Sequence, residues 1–443
     1  MPDYIAHLDR IMPTAISGSV ARTGGTTVSA AGFPAPVGAL AEVRRHGGPP
    51  LLAEVVGFRD DLTILFPQSE PSGVRRGNRV RLIRTDHWLR VGPELLGRVI
   101  DAEGRAIDGL PQPMPNDRAA LNNQPPDPCS RPRIDEPICT GVRSIDGLLT
   151  CGKGQRMGIF AGSGVGKSVL LGMMARYTDA DVIVISLIGE RGREVNEFIH
   201  RDLGPAGLKK SVVVVAASNE PAIVRAQSAV AAMSVAEYFR DRGKNVLLLM
   251  DSLTRFALAQ REIGLAAGEP PATRGYPPSV FAKLPKLIER AGRSPAGSIT
   301  AFYTVLVEAD DPNEPISDAV RGLLDGHVWL ARELASRGHW PAVDVLESVS
   351  RLMPEVTAAE HRLAIQAVRE LSAAYREHED LISIGAYRRG ANRTVDAAID
   401  LREDIDRYLR QPVEQPAALA DAREELMKIF EKYRNYQSPT TGR

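Results

Sequence analysis

Cysteine, net charge and long apolar stretches are all scarce in this chain, and each shortage removes a class of explanation. The 443 residues include three cysteines, Cys129, Cys139 and Cys151. They form neither a C-x-x-C pair nor a zinc-ligand spacing, so ordinary reduced thiols are expected. The 55 basic and 55 acidic residues cancel, which leaves no overall field to draw in a nucleic acid. Aromatics that could stack bases are sparse in the N-terminal part. Between residues 17 and 91 they are Phe33, Phe58, Phe66 and Trp88, scattered through strand-like runs. The longest apolar runs, 182–188 and 246–250, are far short of the roughly 18 residues a membrane span needs. The first residues carry Asp3, Asp9 and Pro13 and lack an apolar core, so no signal peptide is expected there. No internal repeat or low-complexity tract is visible. What remains, 43% hydrophobic and 25% charged residues, is the composition of a soluble globular protein. The length suggests two or three domains.

The pattern changes along the chain. Residues 1–17 place Ile5, Leu8, Ile11 and Met12 at helical spacing, a short amphipathic arm that either packs on its own domain or docks a partner. Over 18–92, short β-rich runs such as 51–56, 62–66 and 79–83 alternate with glycine and proline turns, which predicts a small barrel or sandwich. A stretch rich in Pro and Asn, 111–137, reads as a loop. Within 93–355 the chain alternates apolar strands with helical segments. Strands are expected at 156–160, 181–188, 211–217, 245–250, 298–306 and 327–331, giving an α/β domain with a mostly parallel sheet. Over 356–443 the pattern is helical. Leu363, Ala367, Leu371 and Tyr375 step by four, and Leu419, Arg423, Leu426, Phe430 and Tyr433 step by three and four, so these stripes are expected to be core.

The most informative stretch is Ala161-Gly162-Ser163-Gly164-Val165-Gly166-Lys167-Ser168, followed by Val169. It sits between an apolar strand and a helix-forming segment, the context a phosphate-binding loop requires. Glycines let successive N–H groups point inward at phosphate oxygens, and the helix N-terminus adds partial positive charge. Lys167 is then expected at the β- and γ-phosphates, and the Ser168 hydroxyl on magnesium. Ala161 stands where the usual pattern has glycine. Alanine is small, and at a strand end it is expected to be tolerated.

Ligands of open parallel sheets bind outside the carboxyl ends of the strands. The strand 246–250 runs into Asp251, a candidate magnesium-associated carboxylate. The strand 181–188 runs into Gly189-Glu190-Arg191-Gly192-Arg193-Glu194. Glu190, nearer the strand end, is the candidate to orient and deprotonate an attacking water, and Glu194 could hold a magnesium-bound water. An arginine commonly neutralises charge on the transferred phosphoryl group, but the composition does not single one out.

Taken together, residues 161–168, 189–191, 249–255 and 335–344 resemble the catalytic β subunit of rotary ATP synthases. They resemble more closely the homologous export ATPases of flagella and type III secretion systems. The stretches Pro277-Pro278-Ser279-Val280-Phe281, Asp310-Asp311-Pro312-Asn313-Glu314-Pro315-Ile316 and Arg261-Glu262-Ile263-Gly264-Leu265 look like the export branch. The likeness covers about 18–435. It implies an N-terminal β-barrel domain, a central RecA-like ATPase domain and a C-terminal α-helical domain, with ATP and Mg2+ as ligands. By the same resemblance Glu190 is the general base and Arg191 its neighbour at the γ-phosphate. Arg351 is the arginine finger offered to the next subunit, and Trp340 the aromatic ring against adenine. In Tyr408-Leu409-Arg410-Gln411-Pro412-Val413, Val413 replaces an aromatic of the synthase subunit.

The implied assembly is a homo-hexamer at the cytoplasmic face of an inner-membrane export apparatus, flagellar or injectisome. Its implied partners are a regulator or stator, a central-stalk-like subunit, export substrates and their chaperones, with the membrane touched only through partners. Two alternatives are a hexameric nucleic-acid translocase of the transcription-terminator type and a rotary synthase subunit. The first is disfavoured because the aromatics of the N-terminal part are few and scattered. The second is disfavoured because one chain carries the phosphate loop, Glu190 and Arg351 and can complete its own ring.

Overall fold

The computed structural model describes residues 16–307 and 314–437. The expectations for the arm 1–15 and for residues 310–313 therefore lie outside the described residues. Near the N-terminus, β1 (Ser17–Gly24), β2 (Thr27–Ala31), β3 (Leu40–Val43), β4 (Leu51–Arg59), β5 (Leu62–Pro67) and β6 (Arg79–Arg84) close into an antiparallel barrel in the order β1-β2-β5-β4-β3-β6. Alternation drives it: Leu51, Ala53 and Val55 of β4 point inward to meet Val28, Leu65 and Val80, the period of two a half-buried strand requires.

Past the barrel, β7 (Trp88–Val91) pairs with β9 (Asp117–Ala120) rather than with a barrel strand. The stretch read as a loop therefore contains a strand. Its residues carry no apolar alternation, and pairing with β7 orders them. Between the two, β8 (Arg98–Ile100) adds a parallel edge to the central sheet beside the strand Ser211–Ala217. A short pair, β10 (Pro137–Ile138) and β11 (Cys151–Gly152), leads into that domain.

The central sheet is built from β12 (Arg156–Ala161), β13 (Val182–Glu190), β14 (Ser211–Ala217), β15 (Asn245–Asp251), β16 (Gly292–Arg293), β17 (Ser298–Leu306), β18 (Gly326–Leu330) and β19 (Val343–Ser350). Its order is β19-β18-β12-β17-β15-β13-β14-β8, parallel except for β19 against β18 and for β16, which pairs off the edge of this path with β17. Every residue of β13 is buried. Ile183, Ile185 and Leu187 join one apolar cluster, while Val182, Val184 and Ile188 join another. Alternate side chains thus face helical layers on opposite sides, the reason a parallel strand reads as a continuous apolar run.

β19 is an addition to the expected strands. Asp344, Glu347 and Ser348 interrupt its apolar pattern, which suits an antiparallel edge more than a buried centre. The chain then turns helical, through Ala359–Ser383, Arg393–Asp400, Arg402–Leu409 and Leu419–Gln437. Here one expected stripe is corrected. Ala367 and Leu371 are buried, but Leu363 is 54% exposed. The core face runs instead through Ala364, Ile365 and Val368, one position around the helix. In the last helix Leu426 and Tyr433 are buried together with Ala422 and Ile429.

Candidate functional site

The site begins at the C-terminal end of β12, a central strand flanked by β17 and β18. After Ala161, Gly164 and Gly166 adopt φ of 78° and 84°, and the helix Lys167–Tyr177 starts at once. Such angles are nearly free only to glycine. Gly166 has a second reason to lack a side chain: a Cβ there would lie 2.6 Å from Cζ3 of Trp340. The indole therefore lies against the loop, 41% exposed, where a planar ligand could stack on it. Gly166→Ala is expected to destabilise the central domain by about 1–2 kcal/mol from backbone strain alone, with the indole displaced as well. An earlier thermal unfolding transition would register it, and an unchanged melt would refute the packing described.

The sheet order brings the other groups in. β15 lies one strand beyond β17 and β13 one further, so both strand ends are about 10–15 Å from β12 along the sheet. Lys167 spans that gap. Its Nζ is 2.5 Å from Oδ1 of Asp251 and 3.6 Å from Oε1 of Glu190. Asp251 is buried and also accepts a hydrogen bond from the Thr304 hydroxyl at 2.7 Å. Glu190 is buried as well, and Arg255 donates to its Oε2 at 3.2 Å and to the Gly189 carbonyl at 2.5 Å.

The Glu190 carboxyl is pushed up to about 7. Burial is the main cause and the negative Asp251 the next, with Lys167 and Arg255 pulling the other way. Glu194, largely open to solvent, is held below its usual range, first because it accepts a hydrogen bond from Glu190.

The remaining candidates separate into near and far. Ser168 is exposed beside Lys167, and Arg332 donates to the Ser163 carbonyl at 3.2 Å. Val169 packs partly buried against the core. Arg191 is turned to solvent and pairs with Glu194 at 3.3 Å. Arg351 is at the other rim. Ser350 pairs with Gly326 at the start of β18, whereas Ala161 pairs with Leu330 at its end. Four strand residues, about 13 Å, separate the two rims, so exposed Arg351 does not approach the Lys167 of its own chain. The Val413 carbonyl accepts hydrogen bonds from Arg176 at 2.9 Å and from the Tyr177 hydroxyl at 3.0 Å. That places the 408–413 segment at the far end of the loop's helix.

Sequence reasoning assigned no role to Arg255 or Thr304. Arg255 stands four residues past Asp251, one helical turn, which could have flagged it. A hydroxyl inside an apolar strand, as at Thr304, is a weaker signal.

A strand, a glycine turn and a helix whose first lysine is drawn onto two strand-end carboxylates define a P-loop nucleotide-binding core with a RecA-like sheet. Comparison with known proteins narrows this. Residues 141–350 match the model of the ATP synthase alpha/beta family, nucleotide-binding domain, and residues 357–428 that of the T3SS EscN ATPase C-terminal domain. The flagellum-specific ATP synthase of Bacillus subtilis (strain 168) is 51% identical over 91% of this chain and 93% of its own. The type 3 secretion system ATPase of Xanthomonas euvesicatoria is 51% identical, with 93% of each chain covered. Among solved structures, the assembled ATPase EscN of enteropathogenic E. coli, in complex with its central stalk EscO, superposes with a TM-score of 0.86. It is 46% identical, with 93% of this chain and 99% of that one covered. The chain belongs to the family of flagellum-specific ATP synthases and type 3 secretion system ATPases.

Proposed function

We propose that this chain hydrolyses ATP to ADP and phosphate within a homo-hexameric ring, and that the ring energises or primes protein export through a flagellar or injectisome-type apparatus. The observation that carries this is the split of the charged groups between two rims: Lys167, Glu190 and Asp251 at one, Arg351 at the other. A site that needs both must be completed by a neighbour. The units we assign are an arm at 1–17, the barrel domain at 18–92, the ATPase domain at 93–355 and the helical domain at 356–443.

In this mechanism the amides of 162–168 and the Lys167 ammonium hold the β- and γ-phosphates. Glu190 takes a proton from water as its oxygen bonds to the γ-phosphorus. The bond from that phosphorus to the β,γ-bridging oxygen breaks, and ADP leaves. The neighbour's copy of Arg351, and Arg191 once it turns in from its pairing with Glu194, lie against the equatorial oxygens where charge collects. Trp340 stacks on adenine. Among the described residues no group of three or more His, Cys, Asp or Glu is placed to hold a metal ion. Mg2+ in phosphoryl-transfer sites needs none, taking one or two protein oxygens plus phosphate and water. Ser168 and the buried Asp251 are donors of that kind, with Glu194 reaching through a water. When bound, the ion would neutralise charge on the phosphate oxygens.

The assembled relative solved with its central stalk supports a stalk-like partner here. A regulator or stator, export substrates and their chaperones complete the proposed set, at the cytoplasmic face of the membrane apparatus. Among the described residues no helix is long and apolar enough to cross a membrane.

The test is ATP hydrolysis per protomer over a concentration series, with mass measured by light scattering in parallel. The rate should climb as monomers give way to the ring. A rate per protomer that stays flat across that transition would overturn the shared site.

A further inference from the structure

Trp340 is an exposed ring on a loop, and something must keep it against Gly166. Its own carbonyl oxygen accepts a hydrogen bond from the Gln411 N–H at 2.9 Å. Gln411 belongs to the connection after the helix Arg402–Leu409 and is 3% exposed. Its side-chain amide is fully used. The oxygen accepts from the Arg143 N–H at 2.8 Å, and the nitrogen donates to the Gly141 carbonyl at 2.9 Å and the Gln415 carbonyl at 2.7 Å. A buried amide with both donors and its acceptor engaged has one orientation.

These partners converge on the nucleotide loop from its far side. Gly141, at φ 76°, packs so closely on Tyr177 that a Cβ there would lie 2.2 Å from the tyrosine Cβ. Tyr177 ends the helix that Lys167 begins, and its hydroxyl returns to the Val413 carbonyl. Arg143 also donates to the Arg410 carbonyl at 2.9 Å. One buried side chain therefore joins the turn at 141–143, the helical-domain segment 410–415 and, through its main chain, Trp340.

We propose that Gln411 is a positioning residue for the nucleotide base: its amide locks the segment that holds Trp340 over the phosphate loop. This rests on Trp340 being the base contact. Gln411 touches neither phosphate nor the hydrolytic groups, so its contribution belongs to base binding and not to the chemical step.

The test uses Gln411→Glu, which keeps the shape but loses both donors, and Gln411→Ala, both studied as assembled protein. Tripolyphosphate, which has no base, is the competing inhibitor. The KM for ATP should rise roughly fivefold, with kcat kept within about twofold and inhibition by tripolyphosphate unchanged. Trp340→Ala should raise KM at least as much, and adding Gln411→Glu to it should cost little more, because both act through one contact. An unchanged KM in the Gln411 variants, beside a normal Trp340→Ala effect, overturns the clamp alone. Parallel loss of tripolyphosphate binding also overturns it, since general damage would then explain the data. A silent Trp340→Ala removes the base contact itself, and the clamp falls with it.

Discussion

Arg351→Ala is expected to lower ATP hydrolysis by about 10³-fold or more, while leaving the fold and nucleotide binding of each subunit intact. The reason is geometric. Arg351 follows β19, whose last residue pairs with the first residue of β18, so it lies at the rim away from the phosphate loop. Its backbone N–H is held by the Asp325 carbonyl at 2.9 Å and its side chain is exposed. No fold-stabilising contact is lost on truncation, and the thermal transition should not move. What is lost is a positive charge that meets a neighbouring site only when subunits pack. Arg351→Lys should recover little, because a guanidinium can bridge two phosphate oxygens where an ammonium acts as a point charge. Normal hydrolysis by Arg351→Ala would remove this residue from the mechanism.

Glu190→Gln is expected to cost about 10²–10⁴-fold in kcat, the usual range for loss of a positioned base, with ATP still bound. The neutral amide keeps the shape but cannot take a proton. The substitution also weakens a buried carboxylate pair: Asp251 alone then faces Lys167, and ATP affinity should be kept or improved. The same group sets a pH dependence. Its carboxyl is raised to about 7, chiefly by burial and then by Asp251. As pH falls through that value the free enzyme gains a proton on the group that must be ionised. The profile of kcat/KM should therefore fall on the acid side near pH 7, and Glu190→Gln should remove that limb from whatever activity remains. A wild-type profile flat from pH 8 to pH 5 would contradict the assignment.

Those two residues differ in how far the sequence alone could place them. The phosphate loop and the strand ends at Glu190 and Asp251 were readable because their signals are local. Glycines at required backbone angles and apolar runs stopping at a charge need no tertiary information. Arg351 was different: resemblance pointed to it, and only the register of β18 with β19 puts it at the rim away from Lys167. β8 and β9 escaped notice because each is a few residues of mixed polarity ordered by a partner strand. β19 escaped because Asp344 and Glu347 break its apolar pattern. The Leu363 stripe erred by one helical position, which i and i+4 steps alone cannot resolve when Ala364, Ile365 and Val368 also fit a core face. Arg255, Thr304 and Gln411 act by holding other groups, and such roles follow from contacts between segments far apart in the chain.

The most direct measurement mixes Glu190→Gln with Arg351→Ala, each inactive alone, under conditions where rings form. An intact site needs Glu190 from one subunit and Arg351 from the next. In a random equal mixture about half times half, or a quarter, of the interfaces carry both. Hydrolysis should reappear on mixing and follow the product of the two fractions, peaking at equal proportions. No recovery at any ratio, with ring formation verified by light scattering, would contradict a site shared between subunits.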